Sequence, residues 1–129
     1  MDIRTEKMEE ALFGALEAAD AEMESRYGGR FPLHPARPAH GDGVNRRYDG
    51  LFAFGAGFSP GFGSNFGPGY SLEFRIVTLD DVPPDFREKF EEEAVEELRR
   101  QLAVFLPERR LEVVRDADSW KIVGDLSIS

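Results

Sequence analysis

The sequence predicts a single α+β domain of order α-β-β-α-β-β, with two amphipathic helices on one face of a four-stranded antiparallel sheet. Two long segments repeat apolar residues at spacings of three and four, which is typical of helices with one buried face. Two pairs of short segments alternate apolar and polar residues, which is typical of half-buried strands. The chain has 129 residues and no cysteine, so we expect a hydrophobic core rather than disulfides to stabilise one domain.

The first helix is predicted over residues 2–26, followed by an irregular connector over residues 27–47. Gly28 and Gly29 favour the end of the helix, because glycine readily adopts the backbone conformation found there. The connector contains three prolines and has neither helix nor strand periodicity. The apolar stripe of the helix comprises Met8, Leu12, Ala15, Leu16, Ala19 and Met23.

Residues 48–79 predict an aromatic hairpin whose two strands are joined by a loop rich in glycine and phenylalanine at residues 59–69. This loop is longer than a tight hairpin needs. Gly55 and Gly57 predict a bulge or a local twist in the first strand. The aromatic residues that share one face of the hairpin are Tyr48, Phe52, Phe54, Phe58, Tyr70 and Phe74.

A second helix is predicted over residues 83–106 and a C-terminal hairpin over residues 110–127. Proline and acidic residues open the helix, where free amides and the positive end of the helix dipole favour them. Several apolar residues are expected on the sheet face away from the aromatic rings, and burying them in a homodimer is plausible. These residues are Ala53, Val77, Leu111, Val113 and Val123.

Composition narrows the classes of partner. A net charge of −9 makes nucleic acid an unlikely partner, because phosphate backbones repel an acidic surface. We find neither a signal peptide nor a stretch able to span a bilayer, so we expect a cytoplasmic protein without a membrane partner. Positive charge is concentrated between Arg26 and Arg47, a stretch expected to pack over the protein's own glutamates or to contact an anionic partner.

No motif indicates a reaction, so we predict no catalytic residue, no cofactor and no metal site, and the chain is more consistent with a non-enzyme. The glycines of the loop lead into a strand rather than a helix, which argues against a nucleotide-binding loop. The one candidate set of metal ligands is His34, His40 and Asp42, which lie in a proline-broken loop. Glu88, Glu92 and Glu96 form a stripe expected to be a solvated helix face.

Residues 115–125, with the sequence RDADSWKIVGD, resemble the closing hairpin of NTF2-like, cystatin-type domains. That resemblance implies a curved sheet wrapped round a helix and a pocket for a small apolar ligand. In this chain the candidate lining residues are Phe52, Phe54, Phe74 and Trp120.

Two functions follow as hypotheses. The first is a protein-binding or adaptor module that contacts another protein through the aromatic loop and the adjacent arginines. Its candidate partner-binding residues are Phe58, Phe62, Phe66, Arg46 and Arg47. The alternative is an NTF2-like or cystatin-like protein, with or without weak enzymatic activity, that binds a small apolar ligand under the loop as a lid.

Overall fold

The computed structural model describes residues 3–41, 49–61 and 66–124, with side chains from residue 6 onward in the first helix. It contains two helices, α1 (Ile3–Tyr27) and α2 (Pro84–Phe105). Four strands complete it: β1 (Phe52–Ser59), β2 (Gly69–Ile76), β3 (Leu111–Asp116) and β4 (Ser119–Gly124). The predicted order α-β-β-α-β-β and the α+β class are therefore confirmed.

The ends of the helices follow from local chemistry. The amide of Gly28 donates to the carbonyl of Glu24 over 2.8 Å and closes the last turn of α1. Helix α2 begins with Pro84, whose missing amide proton would have had no partner inside the helix. Asp85 in the first turn adds a favourable charge at the positive end of the helix dipole.

The sheet is antiparallel throughout, with strand order β1-β2-β4-β3. Strand β2 lies at its centre, paired with β1 along its whole length and with β4 through residues 70–72. The register sets Phe54 opposite Phe74 and Leu72 opposite Trp120. Because residues directly opposite share a face, the aromatic side chains all project toward the helices.

The core lies between this aromatic face and the apolar stripes of α1 and α2. Phe90 of α2 is fully buried and stacks on Phe52 at a centroid distance of 4.6 Å. Phe54 packs edge-on against Phe74 at 4.9 Å. The contact of Phe90 with Phe52 fixes how α2 sits over β1.

One prediction about the strands is wrong, and of the two alternatives predicted at Gly55 and Gly57, a bulge or a local twist, the bulge does not occur. Leu111 and Val113 were expected on the face away from the rings, but both pack against the core, and Val113 is only 2% exposed. The two-residue turn between Asp116 and Ser119, with Ala117 at φ 55°, sets Val113 opposite Ile122 and so determines the face. Strand β1 also has no bulge at its glycines, since its register with β2 is continuous from Phe52 to Ser59.

Candidate functional site

The outer edge of β1 is one of the two edges of the sheet, and hydrogen bonds at its start show which backbone groups face outward. The amide of Val77 donates to the carbonyl of Leu51 over 2.7 Å, so the carbonyl of Leu51 faces β2. In an antiparallel pair the backbone groups of successive residues face opposite sides of a strand. The groups of Phe52, Phe54, Ala56 and Phe58 therefore point away from β2.

Two charged side chains cover this edge at Phe52. The amide of Phe52 donates to Glu24 Oε1 over 3.0 Å, and the amide of Leu51 donates to the same oxygen. The carbonyl of Phe52 accepts a hydrogen bond of 2.9 Å from the Arg37 guanidinium. Arg37 also donates to the carbonyls of Asp49 and Gly50, at 2.5 and 2.8 Å, so one guanidinium holds the chain that enters β1.

The rest of the edge is open as far as the described residues show. Among the described residues, none forms a hydrogen bond with the outward amide or carbonyl of Phe54, Ala56 or Phe58. The strand carries no charge, no proline and no bulge, which are the usual features that protect an edge from pairing. An uncharged, regular open edge is a template for an added strand.

The opposite edge of the sheet differs. Strand β3 carries Glu112, Arg115 and Asp116, and Arg99 of α2 donates to the carbonyl of Val113 over 2.7 Å. Charged side chains and a covering group discourage strand addition there. The contrast singles out β1 as the edge suited to an interaction.

Two of the predicted partner-binding phenylalanines lie at the ends of the loop and are exposed. Phe58 is 62% exposed and Phe66 is 45% exposed, whereas the rings of Phe52 and Phe90 are fully buried. Phe58 touches the core side only through an edge contact with Tyr70, at a centroid distance of 5.8 Å. The structure thus places two large apolar rings on the surface, one of them, Phe58, on β1 itself.

The loop is anchored at its described ends. Lys121 Nζ, on a side chain only 3% exposed, donates to the carbonyl of Gly67 over 2.7 Å. Gly61 adopts φ 90° and lies so close to Gly67 that a Cβ at position 61 would stand 2.2 Å from its carbonyl carbon. These contacts fix the backbone on which Phe66 is carried.

The described arginines of the predicted basic stretch contact their own domain. Arg26 pairs with Glu97 and Glu93 of α2, at 3.1 and 3.5 Å, and Arg30 lies over the Phe86 ring. Arg37 holds the start of β1, as described above. The predicted residues Arg46, Arg47 and Phe62 lie outside the described residues.

The four candidate pocket-lining residues lie on the aromatic face. The ring of Phe54 packs against Phe74 and, at a centroid distance of 6.0 Å, against Phe90. Phe52 stacks on the other side of this group, against Phe90. Trp120 is half-buried under the Arg115 guanidinium, which lies 5.4 Å from the ring centroid. A ligand beneath these rings would have to separate them, and the pocket stays a prediction.

A partly buried polar cluster, missed by the sequence analysis, lies behind the start of β1. It comprises Asp20, Glu24, Arg37, His40 and Asp49. Asp49 is 1% exposed; its Oδ2 accepts from the amide of Gly41 over 3.0 Å, and His40 Nδ1 lies 3.3 Å from its Oδ1 without the alignment of a hydrogen bond. The signal was present at Asp20, which stands four residues after Leu16 and three before Met23, on the apolar side of the helix.

Asp20 is the most perturbed group of this cluster. Burial, followed by the negative charges of Glu24, Asp49 and Glu17, raises the pKa of Asp20 from its ordinary value of 3.8 to about 8, although the charge of Arg37 opposes the rise. Its Oδ1 has no hydrogen-bond partner among the described residues. Asp20 therefore holds a proton at neutral pH.

The described residues offer no metal centre, since they contain no group of three or more histidine or carboxylate side chains placed to hold an ion. The Nδ1 of His34 accepts from the amide of Ala36 over 3.1 Å, and His40 faces Asp49. Asp42, the third candidate ligand, lies outside the described residues.

None of the described helices is both long and apolar enough to cross a bilayer.

Comparison with known proteins places the chain in a family but adds no activity. A protein of Borreliella burgdorferi, described as uncharacterised, is 34% identical over 118 residues, which make up 92% of this chain and 92% of the relative. No solved structure is significantly similar to this chain. The sequence profile of a family described as "Uncharacterised protein" matches residues 3–124, which include both helices and all four strands. The chain belongs to this family of uncharacterised proteins.

Proposed function

We propose that this protein is a non-enzymatic protein-binding module that contacts another protein through its aromatic hairpin, meaning β1, β2 and the loop between them. The observation that carries the proposal is the exposure of Phe58 and Phe66, at 62% and 45%, at the two ends of the loop. Exposed aromatic rings on and next to a loop typically mark a protein-interaction site.

The surroundings of the rings favour protein binding over the alternative of a small apolar ligand. The rings beneath the hairpin pack against one another, whereas Phe58 and Phe66 lie on the surface. The open edge of β1 next to Phe58 offers backbone hydrogen bonds, which a protein segment can use and a small apolar molecule cannot. Cytoplasmic residence remains part of the proposal and is consistent with the absence of cysteine.

Affinity capture from a lysate of the native host tests this function. The bait is the full chain, compared with Phe58→Ser/Phe66→Ser, which removes both exposed rings. We expect the wild type to retain a discrete partner and the double variant to lose at least roughly nine-tenths of it, because buried aromatic anchors commonly dominate interface energetics.

A matched control separates loss of the site from general loss of apolar surface. Leu79 and Val104 are 73% and 68% exposed and lie outside the hairpin, so Leu79→Ser/Val104→Ser removes comparable apolar groups elsewhere. The control should retain the partner. Equal capture by all three folded proteins would contradict the proposal, as would equal loss in both double variants.

A further inference from the structure

We infer that the partner supplies an extended, positively charged segment, which pairs as an added strand with the open edge of β1. Acidic residues on one side of α1 attract the positive charges of this segment. The inference rests on the proposed function and specifies the chemistry of the partner. It depends on three features: the direction of the free backbone groups of β1, the position of the acidic residues of α1 and the charge that these residues carry.

The free backbone groups determine the register that an added strand must meet. Phe52 is already satisfied by Glu24 and Arg37, so pairing starts beyond it. The outward groups of Phe54, Ala56 and Phe58 then offer an amide and a carbonyl at every second residue. Gly57 and Phe58 are exposed, so the far half of this edge is accessible.

Helix α1 runs alongside this edge. The bond from Glu24 to the outward amide of Phe52 sets one side of the helix at the start of β1. At the other end, the hydroxyl of Tyr70, which lies opposite Phe58, donates to Glu9 over 3.1 Å. The helix is therefore antiparallel to β1, with Glu24 beside the start of β1 and Glu9 beside Tyr70 of β2.

The side of α1 that carries Glu24 is acidic. Helical periodicity brings Glu17, Phe13, Glu10 and Glu6 to that side, because they precede Glu24 by seven, eleven, fourteen and eighteen residues. We call Glu6, Glu10, Phe13 and Glu17 the acidic flank. With Glu9 and Gly14 they line an open groove of about 440 Å³.

The negative charge of the acidic flank favours a positively charged strand at the edge of β1. Glu6, Glu10 and Glu17 are exposed, and none of them forms an ion pair with a described cation. A strand that carries Lys or Arg on the side facing α1 would gain three favourable charge interactions, while an acidic strand would be repelled. A second copy of this chain is disfavoured, because pairing two β1 edges would bring two acidic flanks together.

Nuclear magnetic resonance on the isotope-labelled full chain tests the inference. The probe is a short synthetic peptide of alternating Lys and Val, and the control peptide replaces every Lys with Glu. We expect the basic peptide to shift the amide signals of Phe54, Ala56 and Phe58, and expect added salt to weaken the effect. The acidic peptide should leave these signals unchanged.

Variants separate pairing from general attraction to an acidic protein. Ala56→Pro removes an amide that faces away from β2, so the ladder with β2 remains while pairing is blocked. Glu6→Gln/Glu10→Gln/Glu17→Gln should weaken peptide binding about tenfold, since each exposed charge pair contributes up to about 1 kcal/mol. The matched control, Glu88→Gln/Glu92→Gln/Glu108→Gln, removes three exposed charges elsewhere and should not. If the proline variant does not fold, the two glutamine triples decide the question.

The outcomes distinguish the inference from the function on which it rests. Absence of shifts at the β1 amides up to millimolar peptide, or equal weakening by both glutamine triples, overturns the inference. So does a concentration-dependent dimer that protects these amides without peptide, because the occupant would then be a second copy. If any of these occurs while Phe58→Ser/Phe66→Ser still loses the captured partner, the proposed function stands without the charged strand.

Discussion

Arg37→Ala is expected to destabilise the folded protein by about 3–5 kcal/mol, because three backbone carbonyls each lose a hydrogen bond from a charged donor. The substitution leaves the carbonyls of Asp49, Gly50 and Phe52 without their shared donor. It also removes the positive charge that opposes the rise in the pKa of Asp20. Chemical denaturation of the two proteins, monitored by circular dichroism, measures the difference in the free energy of unfolding.

Two further variants test whether the loss of stability comes from the three hydrogen bonds that Arg37 donates. Arg37→Lys keeps the charge but cannot reach three carbonyls at once, so it should recover only part of the lost stability. Arg87 is exposed, and Arg87→Ala should change stability by no more than about 0.5 kcal/mol. A cost for Arg37→Ala no larger than that for Arg87→Ala would show that the guanidinium does not hold β1 in place.

Asp20→Asn is expected to stabilise the protein at alkaline pH and to flatten its dependence of stability on pH. The pKa of Asp20 is about 8 in the folded protein and near its ordinary 3.8 in the unfolded chain. Between these values only the folded state holds the proton, so wild-type stability falls as pH rises from about 4 to about 8. Below this window the contribution is fully present, and above it the loss is complete.

Urea denaturation at a series of pH values checks this sign. At pH 9 the variant should exceed the wild type by roughly 2–4 kcal/mol, and the advantage should shrink steadily toward acidic pH. The exposed Asp80→Asn serves as the matched control and should show no such trend. An advantage of Asp20→Asn that is constant from pH 4 to pH 9 would mean that Asp20 does not carry a raised pKa.

The element order was predictable because the hydrophobic period differs between helix and strand. The stripe from Met8 to Met23 and the alternation of the aromatic hairpin each admit one interpretation. The face of β3 was not predictable, because its three apolar residues, Leu111, Val113 and Val114, do not alternate strictly and so favour neither face. Only the turn at Ala117, which fixes the register with β4, decides the face.

The candidate site was predictable in part. Glycines and phenylalanines in the hairpin indicated an apolar surface, and Phe58 and Phe66 lie exposed there. The contribution of Arg37 and Glu24 was not predictable, since both bind backbone groups of residues more than ten positions away. Local sequence patterns carry no information about such tertiary hydrogen bonds. The open edge of β1 can be identified only from the hydrogen bonds in the folded structure.

Site-specific photo-crosslinking in the native host tests the central claim, that the aromatic hairpin contacts a protein partner, most directly. A photoreactive phenylalanine analogue is placed at Phe66 in one protein and at the more exposed Leu79 in another. The proposal predicts a discrete adduct of higher mass from position 66 and none of that mass from position 79. The same adducts from both positions, or none from position 66, would contradict the claim that this surface recognises a partner.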